Sequence, residues 1–235
     1  SLRYASHVQV ISTYLEKLAP QFGYKGVVSV VPNGVDIKKF SIFNFQFSKK
    51  KEKRIIITVS RLVEKNAVDT LIGAFAEVYK KFPDAKLHIV GEGILRSKLE
   101  ALAQTLQVDA AVTFLGNVPN EHLPRYLASA DVFSRPSRSE GLGTAFLEAM
   151  AMGIPVVATK VGGIPDFLEH EKTGLFANAE DSVDIAKQVI RLFTDDALYN
   201  LLSHNGKELV QRKYSWDAIA LKMKDIFKHT VSHNS

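Results

Sequence analysis

The stretch Arg54-Ile55-Ile56-Ile57-Thr58-Val59-Ser60-Arg61 decides the fold of this chain. Its apolar core is unbroken rather than alternating. That fits a strand covered on both faces, as in a parallel sheet flanked by helices. Outward from it, short apolar runs alternate with longer amphipathic stretches. Residues 66–81 carry Val68, Leu71, Ile72, Phe75, Val78 and Tyr79 at helical spacing. Further strands are predicted at 86–90, 112–115, 131–133, 155–158 and 174–176, and further helices at 94–106, 121–130, 144–152, 182–193 and 197–212. This alternation predicts an α/β domain on a doubly wound parallel sheet, Rossmann-like, with ligands outside the carboxyl ends of its strands. Residues 1–31 fit that domain poorly and read as strand, short helix and strand; a final helix is expected over 215–228.

A chain of 235 residues, 46% hydrophobic and 23% charged, can bury one good core with an appendage. No apolar run reaches the roughly 18–20 residues that cross a bilayer, and the opening does not read as a secretory leader. The absence of cysteine excludes disulfides and thiolate metal sites and fits a reducing compartment. The expected location is the cytoplasm or the cytoplasmic face of a membrane. Seven histidines are scattered without metal-ligand spacing. Much of the net charge of +5 sits in Ser48-Lys49-Lys50-Lys51-Glu52-Lys53-Arg54. That run reads as a solvated linker, or as contact with an anionic membrane surface where a lipid-linked acceptor resides. It has no interleaved aromatics, so nucleic acid is not an expected partner.

Glu140-Gly141-Leu142-Gly143-Thr144-Ala145-Phe146-Leu147-Glu148 sets two carboxylates eight positions apart across a glycine-bearing turn that enters a helix. Such a turn lets backbone N–H groups and the helix dipole hold an anion. Carboxylates repel that anion but accept strong hydrogen bonds from vicinal hydroxyls. An anion between two polyols describes a nucleotide-sugar. Thr144 shares the Glu148 face and Gly143 starts the turn, so both can reach phosphate. An isolated helical glutamate normally faces solvent. Glu148, however, lies among Phe146, Leu147, Ala149, Met150, Ala151 and Met152, where a carboxylate calls for a partner. The plainer reading of Glu140 is a charge that complements the helix start.

The motif resembles the paired-glutamate signature of retaining glycosyltransferases with the GT-B fold, especially family 4. More of that family's pattern follows in order: Pro32-Asn33-Gly34-Val35-Asp36, Val59-Ser60-Arg61-Leu62-Val63, Val90-Gly91-Glu92-Gly93, Val112-Thr113-Phe114-Leu115-Gly116, Gly153-Ile154-Pro155-Val156-Val157-Ala158 and Val161-Gly162-Gly163-Ile164-Pro165. The resemblance covers nearly the whole chain from Pro32 onward. It implies transfer of a hexose from a UDP- or GDP-sugar to a glycan or lipid-linked acceptor, with retention, in cell-envelope polysaccharide or lipopolysaccharide synthesis. It also implies a division of the chain. Residues 1–31 would be a remnant of the N-terminal acceptor domain, 32–53 a linker, 54–214 the donor-binding domain, and 215–235 a crossover helix and tail holding His229 and His233. Such a donor-binding half is expected to be inactive without its acceptor-binding half, and its opening without methionine suits a trimmed chain.

The resemblance implies roles for particular residues. Arg61 matches the family's phosphate arginine; its plainer reading is a cap on the strand end or a bridge to Glu64. The family usually places a lysine five positions later, where this chain has Asn66, with Lys65 just before it. One residue near a helix start turns direction by about 100°, so Lys65 as the working cation and Asn66 as a neutral donor both stay open. Glu148 would hold the ribose diol and Glu140 the hydroxyls of the transferred hexose. Gly91 and Gly93 would line the donor cleft, or serve only the turn. The backbone at Leu115-Gly116-Asn117 would read the base, and Gly162-Gly163 would form a tight turn beside the cleft. No metal or other cofactor is expected, because side chains and a helix end hold the diphosphate. A nicotinamide oxidoreductase would put a glycine-rich loop after its first strand, where this chain has Ser60-Arg61-Leu62-Val63-Glu64-Lys65. An epimerase or phosphorylase of similar architecture would not carry these motifs in this order. A non-catalytic sugar-nucleotide-binding half acting with a partner chain, and a GT-B-like epimerase or phosphorylase, are the alternatives.

Overall fold

The computed structural model describes residues 5, 7–41 and 54–232. The chain begins with β1 (His7–Val10), α1 (Thr13–Leu18) and β2 (Val27–Val30), and the two strands pair in parallel as a sheet of their own. A short helix, α2 (Ile37–Ser41), follows. The expected alternation then runs through β3 (Ile55–Val59), α3 (Val68–Lys81), β4 (Lys86–Val90), α4 (Arg96–Thr105), β5 (Val112–Gly116), α5 (Leu123–Ala128) and β6 (Val132–Arg135). It continues with α6 (Thr144–Ala151), β7 (Val156–Thr159), β8 (Leu175–Ala177), α7 (Ser182–Thr194), α8 (Asp196–Lys213) and α9 (Trp216–Ser232).

Among the described residues the larger sheet is wholly parallel, in the order β5-β4-β3-β6-β7-β8. Sequence order runs outward in both directions from the β3–β6 pair. The switch point therefore lies between these two strands, and the crevice outside their carboxyl ends is the place for a ligand. Both Arg61 and Glu140 follow one of those two strands.

The unbroken apolar run of β3 serves two cores. Ile56 packs with Leu71, Ile72 and Phe75 of α3, while Ile55 and Ile57 pack with Phe133, Phe146 and Leu147 on the other face. Each fully buried side chain of this size contributes roughly 1.5–3 kcal/mol. Phe133 meets Phe146 edge-on at 5.2 Å, Phe146 meets Phe167 at 5.7 Å, and Phe167 meets Tyr214 at 6.5 Å. This aromatic row fixes α6 between the sheet and the end of α8. Asp181 caps α7 by accepting from the Val183 and Asp184 amides, and Asp195 caps α8 through the Leu198 amide.

The first segment is latched onto the larger sheet's domain. The Thr13 amide and hydroxyl donate to the Asp166 carboxylate at 2.7 and 2.5 Å. The Val35 amide donates to the Tyr214 carbonyl at 2.7 Å, and Gly34 lies flat on Trp216, where an added Cβ would come within 2.6 Å of the indole. Of the basic run at 48–54, residues 48–53 lie outside the described residues, as do most of the expected linker and residues 233–235 of the tail. Arg54 pairs with Asp84 at 2.6 Å and covers the Phe82 ring at 4.5 Å. No helix among the described residues is long and apolar enough to cross a membrane.

Trp216 is the sole tryptophan of the chain, and 56% of it is exposed. Gly34→Ala is expected to push the indole off its seat. Emission should shift to longer wavelength and the joint between residues 34–35 and α9 should loosen, while far-ultraviolet dichroism stays unchanged. An unaltered fluorescence spectrum would refute this packing.

Candidate donor-binding site

The loop after β3 is built from main-chain contacts. The Ser60 amide donates to the Val90 carbonyl at 3.0 Å, the Leu62 amide to Glu92 at 2.9 Å, and the Leu95 amide to Leu62 at 3.1 Å. A Cβ on Gly91 would stand 1.9 Å from the Ser60 carbonyl oxygen, and one on Gly93 would stand 2.3 Å from that of Leu62. The two glycines of the Gly-Glu-Gly motif thus let the loop lie directly on its neighbour. Between these contacts Arg61 is exposed, and among the described residues it makes no ion pair with Glu64. The buried Asn66 turns inward and donates to the Arg61 carbonyl at 2.7 Å. Lys65 is the exposed cation of the pair.

The loop after β6 leans on this one. The Lys65 carbonyl accepts from the Arg138 amide at 2.8 Å. The Arg138 side chain donates to Asp69 at 2.9 and 3.1 Å, to Glu180 at 2.8 Å and to the Glu64 carbonyl at 2.6 Å. Its hydrogen bond to Asp69, with help from Glu180, raises the guanidinium above its ordinary pKa. Two residues further on, Glu140 accepts from the Gly141 amide at 2.9 Å and from the Arg135 guanidinium. Gly162 sits so close beneath that a Cβ would fall 1.7 Å from the Glu140 carbonyl oxygen, and the Gly163 amide donates to that oxygen at 3.1 Å. Gly162-Gly163 therefore cradles the Glu140 backbone.

Arg135, the last residue of β6, is 6% exposed. One amine of its fork donates to the Val59 carbonyl at the end of β3 at 3.1 Å, the other donates to Glu140, and its plane lies 4.4 Å over the Phe146 ring. Burial pulls its pKa below the ordinary value, while Glu140 and Glu148 raise it. One guanidinium thus lies in the field of both carboxylates of the sequence motif.

Gly143, with φ +86°, starts α6 without a side-chain cap. A Cβ there would meet the Phe146 ring at 2.5 Å and the Arg135 guanidinium at 2.9 Å. Thr144 is the first helical residue and Glu148 lies one turn on, half-buried. Burial raises the Glu148 carboxyl pKa, and Lys39 and Arg135 offset only part of that rise. Lys39, on α2, also contacts the Asn120 side chain. Leu115 packs its side chain on the core beneath α6, and the Gly116 carbonyl accepts from the Gly91 amide at 2.7 Å, with φ +70° at Gly116. No three His, Asp or Glu side chains among the described residues converge as a metal site.

The fold and motif order have counterparts in known proteins. Residues 40–209 match the family described as Glycosyl transferases group 1. The chain belongs to that family. Like it is the GDP-mannose-dependent alpha-(1-6)-phosphatidylinositol monomannoside mannosyltransferase of Mycobacterium tuberculosis, 33% identical over 94% of this chain and 61% of the relative. The chain therefore spans about three fifths of the curated relatives it matches. Sucrose-phosphate synthase from Thermosynechococcus elongatus superposes with a TM-score of 0.86 at 30% identity, covering 99% of this chain and 60% of that one. A mutant of TarM from S. aureus, in complex with Fondaparinux, alpha-GlcNAc-glycerol and UDP, superposes at 0.82 with 25% identity, covering 96% and 44%. The group 1 chain thus carries the Rossmann-like α/β arrangement expected from its strand alternation.

Arg61, Lys65, Glu140, Gly143, Thr144 and Glu148 all lie on the loops after β3 and β6 or on α6, at the carboxyl ends of the switch-point strands. Gly91 and Gly93 follow β4 and Leu115 lies near the end of β5, and their described contacts are with the fold. Sequence reading missed Arg135, Arg138 and Lys39. Arg135 carried a usable signal, since an arginine closes the β6 stretch as Arg61 follows β3.

The raised Glu148 pKa has a consequence for stability. The folded chain holds that proton more tightly than the unfolded chain, so the contribution is complete below the ordinary value of 4.5 and is lost as pH rises through the raised value. Glu148→Gln is therefore expected to melt above the wild type near pH 7 without ligand, with the gain vanishing as pH falls toward 4.5. Calorimetry across that range checks it; a lower melting temperature at neutral pH would mean the carboxylate supports the fold.

Proposed function

We propose that this chain is the donor-binding half of a retaining GT-B glycosyltransferase of family 4, with a nucleoside-diphosphate sugar seated outside β3 and β6. The observation that carries the reading is the placement of Glu140 and Glu148 around one buried guanidinium beside the uncapped start of α6. Amides at that helix start, with Arg61 and Lys65 across the crevice, supply positive charge for a diphosphate. Glu148 then accepts from the ribose diol and Glu140 from hexose hydroxyls. Gly91 and Gly93 act by shaping the Arg61 loop, and main-chain groups near Leu115 face the base. The diphosphate is held without a metal.

In this reading the bond between the anomeric carbon and the diphosphate oxygen breaks as the acceptor hydroxyl attacks from the same face. The leaving phosphate oxygen takes the acceptor proton. Arg61, Lys65 and the α6 amides stabilise charge where it grows on the leaving group. The acceptor is a glycan or lipid-linked sugar in cell-envelope synthesis at the cytoplasmic face of the membrane. It is brought by an N-terminal domain to which residues 1–31 belong, with 32–53 as linker and 215–235 as the crossover helix and tail. The mycobacterial relative, described as GDP-mannose-dependent, favours GDP-mannose as donor. The UDP in the S. aureus complex keeps a uridine donor as the second reading.

Titration calorimetry of the chain without metal tests the assignment. GDP or UDP is expected to bind, and Arg61→Ala should weaken that binding by about ten- to a hundredfold, the loss of one charge-assisted contact of roughly 1.5–3 kcal/mol. The corresponding nucleoside should be affected far less. Equal losses for nucleoside and diphosphate, or no binding of either diphosphate, would refute the reading.

A further inference from the structure

We infer that Arg135 is a positioning residue that fixes the Glu140 carboxylate for the transferred sugar, an inference that rests on the donor-binding reading. Three contacts lock its fork from below: the Val59 carbonyl at 3.1 Å, the Glu140 carboxylate, and the Phe146 ring at 4.4 Å. With 7% of its side chain exposed, against 13% for Glu140, the guanidinium lies under the carboxylate and not beside a ligand. Its planar fork holds an acceptor in a set direction, which the point charge of a lysine does not. The anchor is the last carbonyl of β3, so the sugar-facing carboxylate on the β6 side is referenced to the strand that carries Arg61. Glu140 is held by Arg135 on one oxygen and by the Gly141 amide on the other. Each oxygen keeps a lone pair for a hydroxyl. Gly143 leaves the room: any side chain there would strike the Arg135 guanidinium at 2.9 Å.

This role separates the sugar from the rest of the donor. A guanidinium acting through Glu140 affects the hexose and leaves the nucleoside diphosphate alone. The measurement is the ratio of the dissociation constant for a nucleoside-diphosphate sugar to that for the nucleoside diphosphate. GDP-mannose with GDP and UDP-glucose with UDP are both titrated into the whole chain. Arg135→Met removes the fork and keeps much of the volume; the ratio is expected to rise about tenfold, or roughly 1.4 kcal/mol, with the diphosphate constant unchanged within about twofold. Arg135→Lys, which keeps the charge and loses the fork, should raise it partway. In a Glu140→Gln background, Arg135→Met should add nothing further. An unchanged ratio, or equal weakening of both ligands, overturns the inference while leaving the donor site standing. Failure of both Arg135 variants to fold would make the residue purely structural and overturn it too. If the wild type binds no diphosphate, the donor reading itself falls and takes this with it.

Discussion

The guanidinium of Arg135 ties the ends of β3 and β6 across the gap where the sheet changes direction. In a doubly wound sheet those two ends diverge, since their following loops pass to different helices. A buried cation that bonds a carbonyl on one side and a carboxylate on the other closes that divergence. The Glu140 carboxylate at the mouth of the crevice is referenced to this tie. The Gly143 turn accommodates it, the Phe146 ring supports it, and Glu148 feels its charge.

Holding charge in this place works against folding. Taking a guanidinium and two carboxylates out of water costs several kcal/mol per ion before their attraction returns any of it. The aromatic row from Phe133 through Phe146 and Phe167 to Tyr214 reaches the site at Phe146, whose ring lies against the Arg135 guanidinium. Arg138 adds a second tie nearer to solvent, joining Asp69, Glu180 and the Glu64 carbonyl around the Lys65 turn. The site is thus rigid because its loops are cross-linked to each other, and not because any one loop is stiff.

The parallel sheet was legible because each strand from β3 onward is a short apolar run between turn residues, with helical spacing in between. β4 is found at the residues expected from the pattern. β6 runs two residues past its apolar stretch, to Arg135, and there the hydrophobic pattern gave no sign that a serine and an arginine would be buried. The burial of Arg135 depends on the Val59 carbonyl of another strand and on the Glu140 carboxylate of the loop that follows, contacts that hydrophobic spacing does not register. The choice between Lys65 and Asn66 had the same origin. Spacing from Arg61 left both open, and it took the fold to show Asn66 turned back onto the Arg61 carbonyl. Helix α2 was missed because it is only five residues long, and Lys39 with it. The half-buried setting of Glu148 was readable because its helix is almost wholly apolar.

Gly91, Gly93, Gly162 and Gly163 have in common that a backbone carbonyl presses on each of them, with the Ser12 side chain also against Gly163. The shape of the crevice floor is therefore written in main-chain atoms. Residues decorating these loops can drift widely and the floor will stay where it is, whereas a single methyl group at any of the four would buckle it. Side chains around the crevice can then be exchanged on an unaltered foundation.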